Sequence, residues 1–143
     1  MTDPAKGSCL CGAVTYSATP KSNKFGACHC GMCRKWGAGP FLEVDLQPGG
    51  LKIEDRTQLG VYKSSDWAER LFCKVCGSSL FFHFVPKDTY SVSLDSLDDT
   101  AAFEFDQQIF VEDRHGGYSF AEETKMITGE ELIAAFQSAE STS

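Results

Sequence analysis

In Cys73-Lys74-Val75-Cys76-Gly77, two cysteines stand three positions apart and a glycine follows the second. A tight turn of this kind brings both sulfur atoms to one side, and Gly77 lets the backbone make that turn. A second pair, Cys9 and Cys11, lies near the start of the chain and is also followed by a glycine. If one ion joins the two pairs, it closes a large loop and couples metal binding to folding. We therefore predict a structural zinc site formed by Cys9, Cys11, Cys73 and Cys76, with two separate buried cysteine pairs as the alternative.

The remaining three cysteines form a second cluster in a single loop. Cys28, Cys30 and Cys33 have the spacing C-x-C-x-x-C, which can wrap one ion. Four thiolates close a tetrahedral zinc site, whereas three leave one coordination position open for water or substrate. Thiolate ligands favour soft sulfur over hard oxygen in that position, and a thiol bound there would ionise to its nucleophilic form. We predict a catalytic zinc in this cluster, with Arg34 as a candidate anchor for a substrate carboxylate.

Several other readings of the three-cysteine cluster remain open. A fourth ligand from elsewhere, such as His83 or His115, would make it a second closed structural site. His29 stands between two of the cysteines and is expected to point away from the metal, so it is not assigned as a ligand. The cluster could instead be a redox pair with a resolving cysteine. Close C-x-C and C-x-x-C spacings also occur among ligands of iron–sulfur clusters.

Composition and charge exclude some function classes. The chain has 143 residues with 13 basic and 20 acidic side chains, for a formal charge of -7. Nucleic-acid binding needs a basic surface, so we expect no nucleic-acid partner. We also expect no signal peptide and no membrane span. An odd cysteine count fits disulfide pairing poorly, and together these features predict a cytoplasmic protein in a reducing compartment.

The chain reads as one domain over residues 1–143, with its core at about 7–137, a loose start over 1–8 and a frayed tail over 138–143. Short runs with strand-like alternation recur between turn residues such as Pro48-Gly49-Gly50 and Asp113-Arg114-His115-Gly116-Gly117. The predicted strands are 13–16, 41–44, 51–53, 60–62, 80–84, 90–94 and 108–111. Thr128 and Glu131 form a capping box that predicts a C-terminal helix. The fold class is mainly β, with metal knuckles at strand ends.

The ordered cysteine motifs resemble a known family, the glutathione-dependent formaldehyde-activating enzymes, which share a domain with centromere protein V. The resemblance rests on three stretches within residues 7–80, namely Gly7-Ser8-Cys9-Leu10-Cys11-Gly12-Ala13-Val14, Cys28-His29-Cys30-Gly31-Met32-Cys33-Arg34 and Phe72-Cys73-Lys74-Val75-Cys76-Gly77-Ser78-Ser79-Leu80. It implies an Mss4-like fold of short antiparallel sheets. It also implies the same division of the cysteines, four for a structural zinc and three for a catalytic one. Members often carry a His-Ile pair and a later Trp, where this chain has Gln108-Ile109 and Tyr118.

The family's activity is the formation or cleavage of the carbon–sulfur bond of S-hydroxymethylglutathione. The resemblance thus implies a carbon–sulfur lyase that holds two zinc ions and acts on a small thiol substrate such as glutathione, together with formaldehyde. Aromatic residues that could line the pocket are Trp36, Phe41 and Trp67, although such residues more often belong to a core. The alternative function is a non-enzymatic Mss4-like zinc scaffold that binds a protein partner.

Overall fold

A computed structural model describes the backbone of residues 3–141 and the side chains of residues 3–138. Within that part of the chain, ten strands and two α-helices follow one another with three short 3-10 helices. The elements are β1 Ala5–Ser8, β2 Thr15–Pro20, β3 Lys24–Cys28, α1 Gly31–Gly37, β4 Phe41–Ile53, β5 Leu59–Ser65, β6 Ala68–Cys73, β7 Ser79–Phe84, β8 Thr89–Ser93, β9 Glu104–Ile109, β10 Lys125–Ile127 and α2 Gly129–Ser141. The predicted fold class, mainly β with a C-terminal helix, is confirmed.

The chain divides into two compact units. The first contains the residues up to Phe25 together with Leu42–Glu104, and the second contains Gly26–Phe41 together with the residues from Phe105 onward. Each unit holds one of the two cysteine clusters, and each is described by itself.

The first unit is built on antiparallel strands. β1 pairs with β2, β2 pairs with β4, and the order then continues β4-β8-β7-β6-β5. The pairing register sets Leu71 of β6 opposite Phe81 of β7, and Phe81 opposite Val92 of β8. All three side chains are buried, so one face of these strands carries the core.

The core of the first unit follows from alternation along the strands. In β2, Tyr16, Ala18 and Pro20 are buried, whereas the intervening residues are polar. The ring of Tyr16 meets the ring of Phe81 edge-on, with centroids 4.9 Å apart and planes at 80°. Such a pair adds about 1 kcal/mol beyond the burial of its area. The cluster also includes Cys9 and Cys73, which places two predicted metal ligands in the core.

The second unit contains α1, α2, β10 and most of β3 and β9, and the three strands lie in the order β3-β9-β10. β10 runs parallel to β9, an exception to the antiparallel arrangement that the family resemblance implies. Helix α2 begins as its capping box predicts. The backbone N–H of Glu131 donates to the Thr128 hydroxyl at 3.1 Å. In return, the backbone N–H of Thr128 donates to the Glu131 carboxylate at 2.9 Å. Among the described residues, no helix is both long and apolar enough to cross a bilayer.

Three predictions about local structure are wrong. Within the expected loose start, Ala5–Ser8 is ordered, because it forms a strand that pairs with β2. The turn signal Pro48-Gly49-Gly50 does not end a strand, because β4 continues through it with a shift in its register to β2 and with Gly49 at φ 70°. The strand expected at 108–111 ends at Ile109, because Phe110 takes a left-handed φ of 54°. Of the expected tail, residues 138–141 continue α2, whereas residues 142–143, like residues 1–2 of the start, lie outside the described part.

Candidate metal centres

The four-cysteine cluster lies wholly in the first unit, where two tight turns bring Cys9, Cys11, Cys73 and Cys76 together. Their sulfur atoms all lie within 4.8 Å of one another. The turn after Cys9 closes with Gly12 at φ 83°, and the turn after Cys73 closes with Gly77 at φ 78°. In both turns the backbone N–H of the glycine donates to the carbonyl of the first cysteine. Positive φ values of this size are easily adopted by glycine alone, so the sequence fixes where each turn closes.

The spacing of these sulfur atoms matches a tetrahedral metal ion. Sγ of Cys11 lies 3.7 Å from Sγ of Cys9 and 3.8 Å from Sγ of Cys73. Ligands at a Zn–S distance of about 2.3 Å stand roughly 3.8 Å apart in a tetrahedron. A disulfide would need about 2.05 Å, and none of the seven cysteines, all of which lie in the described part, forms one.

Backbone N–H groups point at the sulfur atoms of this cluster. Val14 donates to Sγ of Cys9 at 3.3 Å, and Val75 donates to Sγ of Cys73 at 3.3 Å. The hydroxyl of Ser78 joins the two turns, because it accepts a hydrogen bond from the backbone N–H of Leu10 at 3.1 Å and lies 3.1 Å from Sγ of Cys76. Such outer contacts orient thiolate ligands and favour their charged form.

The charges of four adjacent thiols explain why the cluster fits a cation. Hydrogen bonds from the side chain and backbone of Ser78 lower the pKa of Cys76 to about 5. The backbone N–H of Ala13 lowers the pKa of Cys11, but desolvation and the neighbouring sulfur atoms outweigh it and raise that pKa to about 11. One thiol therefore ionises readily while its neighbour resists, as like charges in one site require. A divalent cation would remove that conflict and let all four bind as thiolates.

The three-cysteine cluster lies wholly in the second unit, at the junction of β3 and α1. Cys28 ends β3, Cys30 is the N-cap of α1, and Cys33 lies in the first turn of that helix. Their sulfur atoms also lie within 4.8 Å of one another. The backbone N–H of Cys33 donates to Sγ of Cys30 at 3.3 Å, so a thiol takes the place of the usual capping oxygen. Cys28 and Cys33 are buried, whereas Cys30 is half-buried.

No histidine or carboxylate of the described residues joins this cluster as a fourth ligand within the same distance. His83 belongs to the first unit, and both its ring nitrogens lie against carboxylates, Nδ1 at 2.8 Å from Glu69 and Nε2 at 2.7 Å from Asp88. His115 is exposed, and its Nδ1 accepts the backbone N–H of Gly117 at 2.9 Å. The cluster therefore offers three sulfur ligands and no fourth ligand from the described residues, as the sequence predicts.

His29 is completely buried, and neither of its ring nitrogens belongs to the cluster of sulfur atoms. Its backbone N–H donates to the carbonyl of Ile109 at 3.0 Å, and its ring Nε2 lies 2.8 Å from Oε1 of Gln108. Gln108 is buried as well, and its amide nitrogen donates to the Thr124 hydroxyl at 2.9 Å. Because the amide nitrogen of Gln108 points at Thr124, its oxygen points at His29. An amide oxygen only accepts, so Nε2 of His29 is the donor. Nδ1 of His29 has no hydrogen-bond partner among the described residues.

The remaining candidates divide between structural and surface positions. Arg34 is half-buried on α1, and its guanidinium Nη1 donates to the carbonyl of Asp113 at 2.7 Å. Phe41 is buried and contacts Trp36 with ring centroids 5.3 Å apart, which makes Phe41 part of the interior. Trp67 is 44% exposed and lies in the first unit, between β5 and β6.

Sequence reasoning missed Ser78 and Gln108. The signal for Ser78 was available, because a serine two residues beyond a C-x-x-C pair can reach back to the second sulfur. The sequence marks Gln108 only as a departure from the His-Ile pair of the family, and nothing local connects it with His29, which lies 79 positions away. Only the pairing of β3 with β9 brings the two residues together.

Comparison with known proteins identifies the family. The sequence model for "Glutathione-dependent formaldehyde-activating enzyme" matches residues 4–113, which include both cysteine clusters. The chain belongs to this family. An uncharacterized lyase of Schizosaccharomyces pombe is 33% identical over 129 residues, covering 90% of this chain and 93% of that protein. A Halomonas elongata protein named for the same family is 30% identical over 84 residues, covering 53% of this chain and 54% of that protein.

A solved structure shares the fold. The crystal structure of a Rhodobacter sphaeroides protein superposes with a TM-score of 0.58 at 23% identity, covering 65% of this chain and 87% of that one. At this identity the likeness shows the fold alone. Membership of the formaldehyde-activating family and the lyase name of one relative support an enzymatic function for the chain.

Proposed function

We propose that this chain is a zinc-dependent enzyme that forms or cleaves the carbon–sulfur bond of a small thiol adduct, with glutathione and formaldehyde as the leading reactants. The observation that carries the proposal is the unequal division of the cysteines: four converge in one unit and three in the other. A closed structural site needs four ligands, whereas a catalytic site keeps a position for substrate.

Each cluster fits zinc by the chemistry of its donors. Cys9, Cys11, Cys73 and Cys76 would hold a structural ion, and Cys28, Cys30 and Cys33 would hold a catalytic one. When bound by three thiolates, zinc supplies an open position that accepts a thiol in its thiolate form. Cys30 is the most exposed of the three cysteines, and Arg34 offers positive charge directly after Cys33.

The proposed reaction balances without a further reagent. The sulfur lone pair of glutathione forms a bond to the carbon of formaldehyde, and the electron pair of the carbonyl bond moves to oxygen. The proton lost by the thiol ends on that oxygen, which gives the hydroxymethyl group. The reverse reaction breaks the same carbon–sulfur bond. A reducing compartment such as the cytoplasm would keep both glutathione and the ligand cysteines reduced.

A direct test follows the exchange between glutathione and formaldehyde by NMR, with and without the zinc-loaded protein. We expect the wild type to accelerate the formation of S-hydroxymethylglutathione and Cys30→Ser to lose that acceleration while retaining one zinc and the fold. Lys35→Gln, an exposed neighbour on α1, serves as the control. Absence of acceleration by a wild type that carries two zinc ions would overturn the proposal.

The alternative is a zinc scaffold that binds a protein partner. It is favoured by exposed apolar side chains at the tips of the two turns of the four-cysteine site, Leu10 at 89% and Val75 at 61% exposure. Cobalt substitution distinguishes the two functions. A catalytic site should change its cobalt absorption spectrum when glutathione is added, whereas a scaffold with closed sites should not respond.

A further inference from the structure

The loop after β9 forms an open groove that the chemistry of the cysteines does not explain. It lies over residues 111–119 in the second unit and has a volume of about 490 Å³. That volume falls within the range of small-molecule sites. We call this feature the 111–119 groove.

The polar side chains that line the groove are mostly hydrogen-bond donors. The lining residues include Arg114, which carries a guanidinium, and Tyr118 and Ser119, which carry hydroxyl groups. The one carboxylate in the lining, that of Glu112, accepts the backbone N–H of Gly129 with both oxygens, at 3.0 and 2.9 Å. Its charge is therefore directed at the first residue of α2, where a helix favours an acidic group.

His115 is held in the form of a donor. Its Nδ1 accepts the backbone N–H of Gly117, so the ring proton resides on Nε2. A Cβ atom at residue 117 would lie 2.8 Å from Cε1 of His115 and 3.0 Å from Nδ1, so this arrangement needs glycine. Tyr118 stacks on the imidazole with ring centroids 5.9 Å apart and planes at 16°, which fixes the ring further.

Two contacts join the groove to the three-cysteine cluster. Arg34, which follows Cys33, donates to the carbonyl of Asp113 in the same loop. On the other side, the ring of Phe120 lies 6.1 Å from the ring of Tyr118 and 6.0 Å from the ring of His29, between Cys28 and Cys30. The loop that forms the groove therefore packs against the loop that carries the three thiols.

We propose that the 111–119 groove binds a carboxylate of the thiol substrate, with Arg114 and His115 as specificity-determining residues. This rests on the proposed function, since it assigns the acidic end of the same substrate. Arg114 can form paired charge-assisted hydrogen bonds to a carboxylate, and Nε2–H of His115 can add a third. The local donors supply the attraction for an anion that the overall charge of -7 does not. Because the groove is open, we expect this attraction to weaken as salt increases.

The test compares two thiols that differ in their carboxylates. Glutathione carries two, whereas 2-mercaptoethanol carries none and has no amine to divert formaldehyde, and formation of the S-hydroxymethyl adduct is measured for both. We expect Arg114→Gln to raise KM for glutathione about tenfold with kcat unchanged, and to leave KM for 2-mercaptoethanol as in the wild type. Gly117→Ala should act in the same direction by displacing His115. Lys35→Gln removes one positive charge outside the groove, so it should leave KM and kcat unaltered for both thiols.

The outcomes separate this inference from the proposed function. If the wild type acts on glutathione but Arg114→Gln leaves its KM unchanged, or raises KM for both thiols equally, the carboxylate site is wrong. Binding of S-methylglutathione, which has no reactive thiol, is measured in parallel by calorimetry. If the wild type forms no adduct, the proposed function fails. The calorimetry then tests by itself whether the 111–119 groove binds a carboxylate. Binding that Arg114→Gln weakens about tenfold supports the groove, and absence of binding to the wild type overturns it.

Discussion

The imidazole Nε2 of His29 lies 2.8 Å from Oε1 of Gln108, a side chain 79 positions later in the sequence. This bond holds the residue between Cys28 and Cys30 against β9, and Gln108 is itself fixed by Thr124. The two polar side chains are completely or almost completely buried. The relationship makes the geometry of the three-cysteine cluster depend on a distant part of the chain.

Replacing Gln108 by Leu should weaken metal binding at the three-cysteine cluster alone. The substitution leaves the buried Nε2–H of His29 without an acceptor, so the loop that positions Cys28 and Cys30 loses its support. A buried donor left without an acceptor costs about 1–3 kcal/mol, so we expect metal affinity at this cluster to fall about tenfold. Competition with a chelator, followed by cobalt absorption, measures the two sites separately. Gln108→Glu keeps a hydrogen-bond acceptor at the same place, so its metal affinity should fall much less than that of Gln108→Leu.

Gln137→Leu, an exposed change on α2, is the control for the altered residue type. Equal loss of metal from both clusters in Gln108→Leu would indicate general unfolding rather than a local support.

Replacing Ser78 by Ala should loosen the four-cysteine site. The hydroxyl contacts Sγ of Cys76 and the backbone N–H of Leu10, so it connects the two turns that supply the ligands. We expect a loss of about 1 kcal/mol in the free energy of unfolding and faster release of one metal ion per chain. Chemical denaturation and chelator-driven release measure the two effects. Ser17→Ala, on the outward face of β2, should change neither, and unchanged release from Ser78→Ala would contradict the role given to this hydroxyl.

The clusters and the features around them differ in how far the sequence predicts them. Ligand sets and knuckle turns depend on short spacings such as Cys73-x-x-Cys76-Gly77, so local sequence is sufficient for them. The capping box at Thr128 is local for the same reason. By contrast, β3 and β6 each contain buried residues without a clear alternating pattern, so the sequence does not predict either strand. The donor set of the 111–119 groove depends on which way His115 turns, and that is decided by a contact with Gly117 that composition does not reveal.

Loss of one ligand should have different consequences in the two clusters. Cys73 is completely buried in the core of the first unit and joins β6 to the turn after β1. Cys73→Ser should therefore lose both the ion and the folded state, because metal binding closes a long loop there. Cys30 is half-buried in a local loop, so Cys30→Ser should lose one metal ion and keep the fold. Metal content by mass spectrometry and secondary structure by circular dichroism test both variants, and equal unfolding would refute the assignment of a structural and an open site.

The buried hydroxyl of Tyr16 should make the protein less stable at alkaline pH. Burial raises the pKa of Tyr16, and Asp98 raises it further, although the hydrogen bond to Ser96 opposes both. The unfolded chain would release this proton near pH 10, whereas the folded chain retains it. The free energy of unfolding should therefore fall as pH rises above about 10, by up to roughly 1.4 kcal/mol per pH unit for this one group.

Tyr16→Phe isolates this contribution, because the phenyl ring can keep its edge contact with Phe81 and has no proton to lose. Between pH 8 and pH 11, the free energy of unfolding should fall less for Tyr16→Phe than for the wild type. At neutral pH the variant should be about 1 kcal/mol less stable than the wild type, because it lacks the hydrogen bond to Ser96. Tyr62→Phe removes an exposed hydroxyl and should follow the wild type throughout. Parallel curves for Tyr16→Phe and the wild type would show that alkaline unfolding begins at other groups.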